Sequence, residues 1–382
     1  MLSGQVTVDL LQRKEVEDLK KRKWTAFILI LTALSVLAGC RHKRRTPEDI
    51  VNADGENKQL NSSGITPDKK ITRLEDSLSV IRYEGDYGFN DFLSQGGAAS
   101  DEDVVKYVSG QLTSDIPELI FGGKSFGCST LSVKNSGKGY LFGRNFDWNS
   151  CDALIISSRP GKGYASVSTV NTDFIKAGGV NISKLPDAAQ AVIGLYAPLD
   201  GMNERGLAVS VNMIEDSDTI EQNTEKPDLT TTTAIRLLLD KASDVDEALE
   251  LLGQYDLHAS MGMMVHFALA DAEGRSVAVE YVDNKMTVTE TPAVTNFYLT
   301  EGKKHGVGTS QSHTRYDLLM EAVSKKEKMT EAEVRDALDS VSKDNFDEFE
   351  STEWSIVMNQ DTKELTYFHR ENYKNGYTIS VD

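Results

Sequence analysis

A single cysteine stands directly behind a glycine at the head of a β-prone run, Gly127-Cys128-Ser129-Thr130-Leu131. Cutting the Gly127–Cys128 bond would put a free α-amine on the residue that carries the thiol. An α-amine titrates near pH ~8 and a thiol near ~8.5, so the amine can accept the thiol proton close to neutrality without a histidine. Glycine suits such a junction because, lacking Cβ, it lets a thiol approach its carbonyl closely. Arg144 and Asp147 follow in "FGRNFDW". A guanidinium beside the cysteine favours the thiolate, and a carboxylate can hold the amine. Their odd separation puts them on opposite faces of a regular strand, so both reach Cys128 only if the chain bends or ends near Phe146. Plainer readings remain open: Cys128 bonded to Cys151, and Arg144 with Asp147 as a structural ion pair. His266, in "MVHFALAD", reads as a half-buried strand residue rather than a partner for Cys128.

The elements that must position these residues follow from periodicity. From Gly127 on, runs such as "GYLFGRNF", "ALIISSR", "LAVSVNMI" and "SVAVEYV" are short, β-branched or alternating, with Gly, Asn and Lys at the turns. Helical patterns cover about residues 230–242, 245–252, 313–323 and 331–341, and a hairpin, "WSIVMNQDTKELTYFH", closes the chain. Strands at both ends with helices between them predict an α+β fold, two antiparallel sheets packed together and covered by helices. Upstream, Ser100 and Asp103 form a capping-box-like start to an apolar helix over Val104–Leu112, so residues 78–127 are expected to fold against the rest as a prosegment.

Before that, residues 41–77 are polar, as in "NADGENKQLNSSG", and are expected to be a flexible stalk. Residues 1–40 read as a signal peptide: Lys20 to Lys23 are basic, Trp24 to Ala38 apolar, and Leu37-Ala38-Gly39-Cys40 resembles a lipobox, with Cys40 as the lipidated residue. An extracytoplasmic, membrane-anchored bacterial lipoprotein is expected. The formal charge of −18, from 41 basic and 59 acidic residues, argues against nucleic acid and against an anionic membrane surface as partners. No metal-ligand spacing is present, and no cofactor is expected.

In order, "GCSTL", "FGRNFDW", "DGMNERGLAVSVNM", "AVTN" and "TRYDLL" resemble the linear amide C–N hydrolases, a family that includes bile salt hydrolases, penicillin V acylases, acid ceramidase and N-acylethanolamine amidase. The resemblance covers residues 128–382. It implies a four-layer αββα sandwich of the N-terminal-nucleophile type, in which the cysteine freed at Gly127–Cys128 attacks an N-acyl amide. Cys128, Arg144 and Asp147 fall on the family's cysteine, arginine and aspartate; Asn203, Asn296 and Arg315 fall on its later asparagines and arginine. The two asparagines would supply oxyanion donors and Arg315 a permanent charge for the cysteine or a polar substrate end. Asn203, between Gly201 and Gly206, is equally a hairpin-turn residue, and Asn296 and Arg315 could simply cap or pair.

Bile salt hydrolases begin almost at the cysteine, and they carry a long loop where this chain has only a short interval between Asn296 and Arg315. Both departures point instead to small amphipathic, lipophilic N-acyl amides as partners. Trp148, Phe174 and Met202, near the motifs, are candidate pocket residues, with ordinary core as the alternative for Trp148 and Phe174. Conjugated bile salt or penicillin V hydrolysis, acyl transfer by the same centre, and a non-enzymatic ligand-binding lipoprotein remain alternatives. The prosegment is expected to plug the site before cleavage and to stay docked afterwards as a light chain.

Overall fold

The computed structural model describes residues 60–112, 119–121, 127–149, 151–177, 180–343 and 351–382. The expected signal peptide, its Cys40, and residues 41–59 of the expected stalk lie outside the described residues.

The alternating runs become the strands of two large sheets: β1 (Ser62–Gly64), β2 (Thr72–Glu75), β3 (Leu78–Glu84), β4 (Gly127–Asn135), β5 (Tyr140–Trp148), β6 (Ala153–Arg159), β7 (Ser166–Asn171), β8 (Asp200–Asn203), β9 (Ala208–Met213), β10 (Val265–Ala270), β11 (Ser276–Val282), β12 (Lys285–Glu290), β13 (Ala293–Val294), β14 (Lys328–Met329), β15 (Ser351–Asn359), β16 (Glu364–His369) and β17 (Gly376–Ser380). The helices are α1 (Phe89–Ser94), α2 (Asp101–Gln111), α3 (Asp187–Leu195), α4 (Thr231–Lys241), α5 (Val245–Leu252), α6 (Ser310–Lys325) and α7 (Glu331–Ser340). The first sheet runs β1-β17-β16-β15-β5-β4-β13, with β14 also beside β4, and the second β12-β11-β10-β9-β8-β7-β6-β3-β2.

The sheets lie face to face. Arg144 on β5 reaches Asp200 on β8 at 2.5 Å, and the Thr169 and Tyr367 hydroxyls meet at 3.0 Å. Helices α6 and α7 cover the outer face of the first sheet, while α3 and α4 cover the second. The result is the expected αββα layering. Strands β7, β8, β9 and β15 are buried along their whole length, and β5 from Leu141 on, as strands between two covered faces must be.

Two expectations upstream of Cys128 change. Residues 60–77 are not a loose stalk: β1 pairs in parallel with β17, β2 pairs with β3, and Leu60, Ile65, Ile71 and Leu74 pack against the cores. These isolated apolar residues lie in polar surroundings, and only their sheet partners make them an anchor. The expected prosegment is likewise an integral layer rather than a separate plug. Strand β3 sits inside the second sheet, parallel to β6, with Leu78, Val80 and Ile81 buried. Helix α2 starts where its cap predicts, with the Ser100 hydroxyl accepting from the Asp103 N–H at 3.2 Å. Tyr87, Phe89, Phe92 and Tyr107 interlock with Tyr196 at ring-centroid distances of 5.2–6.2 Å, and the Tyr87 hydroxyl donates to Asp240 on α4.

Candidate active site

Cys128 is fully buried one residue into β4, paired across the ladder with Phe146. Its main chain is gripped from both sides. The Cys128 N–H donates to Asn296 Oδ1 at 2.8 Å, and its carbonyl accepts from Arg315 Nη1 at 2.6 Å. Arg315 extends from α6 to bind Ser129 Oγ at 2.6 Å and Asn296 Oδ1 at 2.7 Å. The thiol lies 3.6 Å from the Val211 carbonyl oxygen on β9. Burial pushes this thiol up to about 11 against the opposing pull of Arg144 and Arg315, and the Asp147 carboxylate pushes it in the same direction as burial. About one molecule in 10⁴ then carries a thiolate at pH 7, so the nucleophile needs a base.

Arg144 faces the space between the sheets. Its Nε meets Asp200 Oδ2, and its Nη1 meets Ser210 Oγ at 2.5 Å and Asn212 Oδ1 at 3.3 Å. Asp200 Oδ2 also accepts from Trp354 Nε1 at 3.0 Å. Arg144 Nη2 donates to none of these oxygens, and the guanidinium interacts instead with the Cys128 thiol beside it. Asp200 and Asn212 thus join the cluster, although their sequence context marks neither. The available signal was the pair Ser210 and Asn212, two polar residues on one face of the apolar run "LAVSVNM".

Asp147 resolves the odd-separation problem by working from the opposite side. It lies across the ladder from Gly127, where β15 slips register between Thr352 and Trp354. The slip lies in β15, whereas β5 pairs with β4 without a break from Tyr140 to Asp147, so the bend expected near Phe146 is not in the strand that carries Arg144 and Asp147. Thr352 Oγ1 donates to Asp147 Oδ1 at 2.7 Å, while Oδ2, 3.6 Å from Arg315 Nη1, has no hydrogen-bond partner. A Cβ built on Gly127 would lie 2.9 Å from that oxygen and 2.8 Å from Lys343 Nζ. A larger residue there would have to push aside the Lys343 ammonium and the Asp147 carboxylate.

Residues 128–305 match the family described as linear amide C-N hydrolases, choloylglycine hydrolase family. These residues belong to that family. The penicillin V acylase of Pectobacterium atrosepticum is 29% identical over 105 residues, which span 25% of this chain and 28% of that enzyme. A solved variant of the conjugated bile acid hydrolase of Clostridium perfringens shares the fold, with TM-score 0.50 and 18% identity over 66% of this chain and 92% of the other. A penicillin V acylase from Agrobacterium tumefaciens aligns with TM-score 0.46 and 20% identity over 66% and 86%.

Asn203 stands apart from the cysteine. Its amide donates to the Leu239 and Ala242 carbonyls at 3.2 and 2.8 Å, and its Oδ1 accepts from the Arg205 and Leu207 N–H groups. Every bond of the side chain goes to the turn and to α4, which favours the turn reading over an oxyanion donor. Asn296 also differs from expectation: its Nδ2 is spent on the Met213 carbonyl at 2.6 Å, and its oxygen rather than its nitrogen faces the cysteine. Asn212 has the looser amide, with Nδ2 3.2 and 3.4 Å from the Val294 and Thr295 carbonyls. We expect Asn212→Ala to lower kcat by about 10²- to 10³-fold, the cost of one oxyanion donor. Asn203→Ala should instead lose about 1–3 kcal/mol of stability with kcat/KM within a few-fold, because it strands buried backbone groups. Steady-state kinetics beside urea unfolding separates the two, and the reverse pattern would restore Asn203 as the donor.

Phe174 lines a small cleft of about 10 Å³, room for roughly one water, with Asp101, Val170, Ala197, Leu199 and Met261. Trp148 packs edge-on against Phe174 at 5.0 Å, and Phe174 lies 6.4 Å from Phe146, the ladder partner of Cys128. Met202 is core, paired with Val167 and Ala208 away from this cleft. Cys151 is buried and, like Cys128, a free thiol, so the two are not bonded. Among the described residues, no three His, Cys, Asp or Glu side chains converge as metal ligands.

Proposed function

We propose that this chain is an N-terminal-cysteine amidohydrolase that cleaves lipophilic N-acyl amides through a thioester, after freeing Cys128 from Gly127. The observation that carries the reading is the double grip on the Cys128 main chain, with Asn296 on its N–H and Arg315 on its carbonyl. Strand β13 ends at Val294, opposite Thr130, so on that side two buried side chains rather than a ladder partner fix the Cys128 main chain. Held in this way, the nitrogen is not locked into the ladder on that side when it becomes the catalytic base.

In the uncut chain the Cys128 thiol adds to the Gly127 carbonyl. The acyl group moves from nitrogen to sulfur, and water hydrolyses the thioester, leaving a Gly127 carboxylate and a free Cys128 amine. Asn296 Oδ1 then accepts one amine hydrogen and turns the lone pair toward the thiol. Asp147 Oδ2, beside the cut, takes the charge of the amine when it carries the proton. In turnover the same thiol attacks the substrate carbonyl, Asn212 Nδ2 and Arg144 Nη2 stabilise the developing negative charges, and the amine passes its proton to the leaving group.

An acyl chain entering beside Phe174 would have to widen the small cleft there, between Val170, Ala197 and Leu199. Asp101 at the start of α2 closes one wall by accepting from the Met261 N–H at 2.6 Å, so the upstream segment remains part of the enzyme as a light chain. Cys40 tethers the protein to a membrane outside the cytoplasm; incorporation of labelled palmitate that survives Cys40→Ser would refute the tether. For the activity itself, the processed chain is offered N-acylethanolamines, N-acyl amino acids, conjugated bile salts and penicillin V. Faster amine release from the long-chain N-acyl amides is expected. No turnover of any of the four by a chain beginning at Cys128 would defeat the proposal.

A further inference from the structure

We propose that His266 and Glu280 form a buried clip that positions Asn296, and through it the Cys128 amine. This rests on the amidohydrolase reading and adds positioning residues to it. His266 lies on β10 opposite Asn212, and Glu280 lies on β11. Both are fully buried rather than half-buried. His266 Nδ1 meets Glu280 Oε1 at 3.0 Å, and Nε2 meets the Thr295 carbonyl at 2.8 Å, so both ring nitrogens face acceptors. Glu280 in turn accepts from the Leu299 N–H at 2.8 Å and the Thr300 N–H at 2.6 Å.

The pair therefore holds both ends of the segment Thr295–Thr300, and Asn296 is the second residue inside it. Burial opposes ionisation of Glu280, yet the hydrogen bond and charge of His266, with the Thr300 and Leu299 contacts, bring its carboxyl down to about 2. Burying such a pair is seldom stabilising compared with apolar residues of the same volume. Strand β10 is otherwise the apolar run Val-Phe-Ala-Leu-Ala, so stability alone gives little reason to place there a histidine bonded to a buried carboxylate. Setting the angle of the Thr295–Asn296 peptide does, because Asn296 Oδ1 must meet the Cys128 N–H at 2.8 Å and Arg315 Nη2 at 2.7 Å at once.

The test is a double-mutant cycle on the full chain with the best substrate of the panel. His266→Gln is expected to lower kcat by about 10- to 100-fold, the usual cost of an outer partner, with KM changed less than about threefold. In an Asn296→Ala background the same change should cost no more than about twofold, because the group it positions is gone. Equal losses in both backgrounds would overturn the proposal. If His266→Gln does not fold, Glu280→Gln, which is isosteric and keeps an acceptor oxygen, carries the same comparison.

A second readout needs no turnover. The side-chain amide resonance of Asn296, in ¹⁵N-asparagine-labelled protein and identified by its loss in Asn296→Asp, should shift in either clip variant. An unmoved resonance in a folded variant overturns the clip even if the enzyme reading stands. An inactive wild type with a shifted resonance would sink the enzyme reading and leave the clip in place.

Discussion

Replacing Cys128 with alanine is expected to leave one uncut chain with no measurable amidase activity, a loss on the order of 10⁴- to 10⁶-fold, as for removal of other enzymic nucleophiles. Two separate roles fail together. Without the thiol nothing adds to the Gly127 carbonyl, so the α-amine is never made; and without sulfur no thioester forms on substrate. Cys151→Ser is the control and should remain cut and active, because Cys151 is a free buried thiol on a different segment. Gel electrophoresis and amine release are the measurements. A Cys128→Ala chain that is still cut at this bond without added protease would rule out self-cleavage, and residual activity near the wild-type level would rule out the nucleophile.

Arg144→Met should be nearly as severe, for a reason that reaches beyond chemistry. Arg144 and Asp200 are both fully buried, and Trp354 adds only one further bond to the carboxylate. Removing the guanidinium strands a buried charge, which typically costs about 3–5 kcal/mol. Unfolding in urea, done in the Cys128→Ala background so that every sample is a single chain, should register that loss. Adding Asp200→Leu should recover much of the stability, since a buried ion pair replaced by apolar groups is often neutral. Activity, measured with Cys128 present, should not return. Full recovery of both would reduce Arg144 to a structural ion pair, and a stability loss under about 1 kcal/mol would contradict the buried-pair argument.

The fold was largely readable in the sequence because its strands alternate and its helices carry caps. Thr230 and Thr330 each open a helix with a reciprocal capping box, and α4, α5 and α7 begin within a residue of the periodic runs. In the candidate site, Cys128 behind Gly127 and Arg144 with Asp147 in one strand stand out in their local context, whereas Asn296 and Arg315 were pointed to only by the family resemblance. The site was not readable where the local pattern gives a competing answer. Asn203 sits in a glycine-flanked turn that looks like a motif, yet its side chain serves the turn itself. Asn212, Asp200 and His266 are single polar residues in apolar strands, and only the packing of one sheet on the other brings Asp200 to Arg144. The upstream anchors failed for a related reason, since Leu60 and Ile71 gain meaning only from partners far away in sequence.

The central claim is that the working nucleophile is an N-terminal cysteine made by the protein itself. Its most direct measurement is intact mass with N-terminal sequencing of the full chain after purification, beside gel filtration of the same sample under native conditions. The account predicts a heavy chain beginning Cys128-Ser129-Thr130 that co-elutes with the upstream segment, because β3 lies inside the second sheet and Tyr87 is bonded to Asp240. An uncut wild-type chain that hydrolyses N-acyl amides at full rate would contradict it.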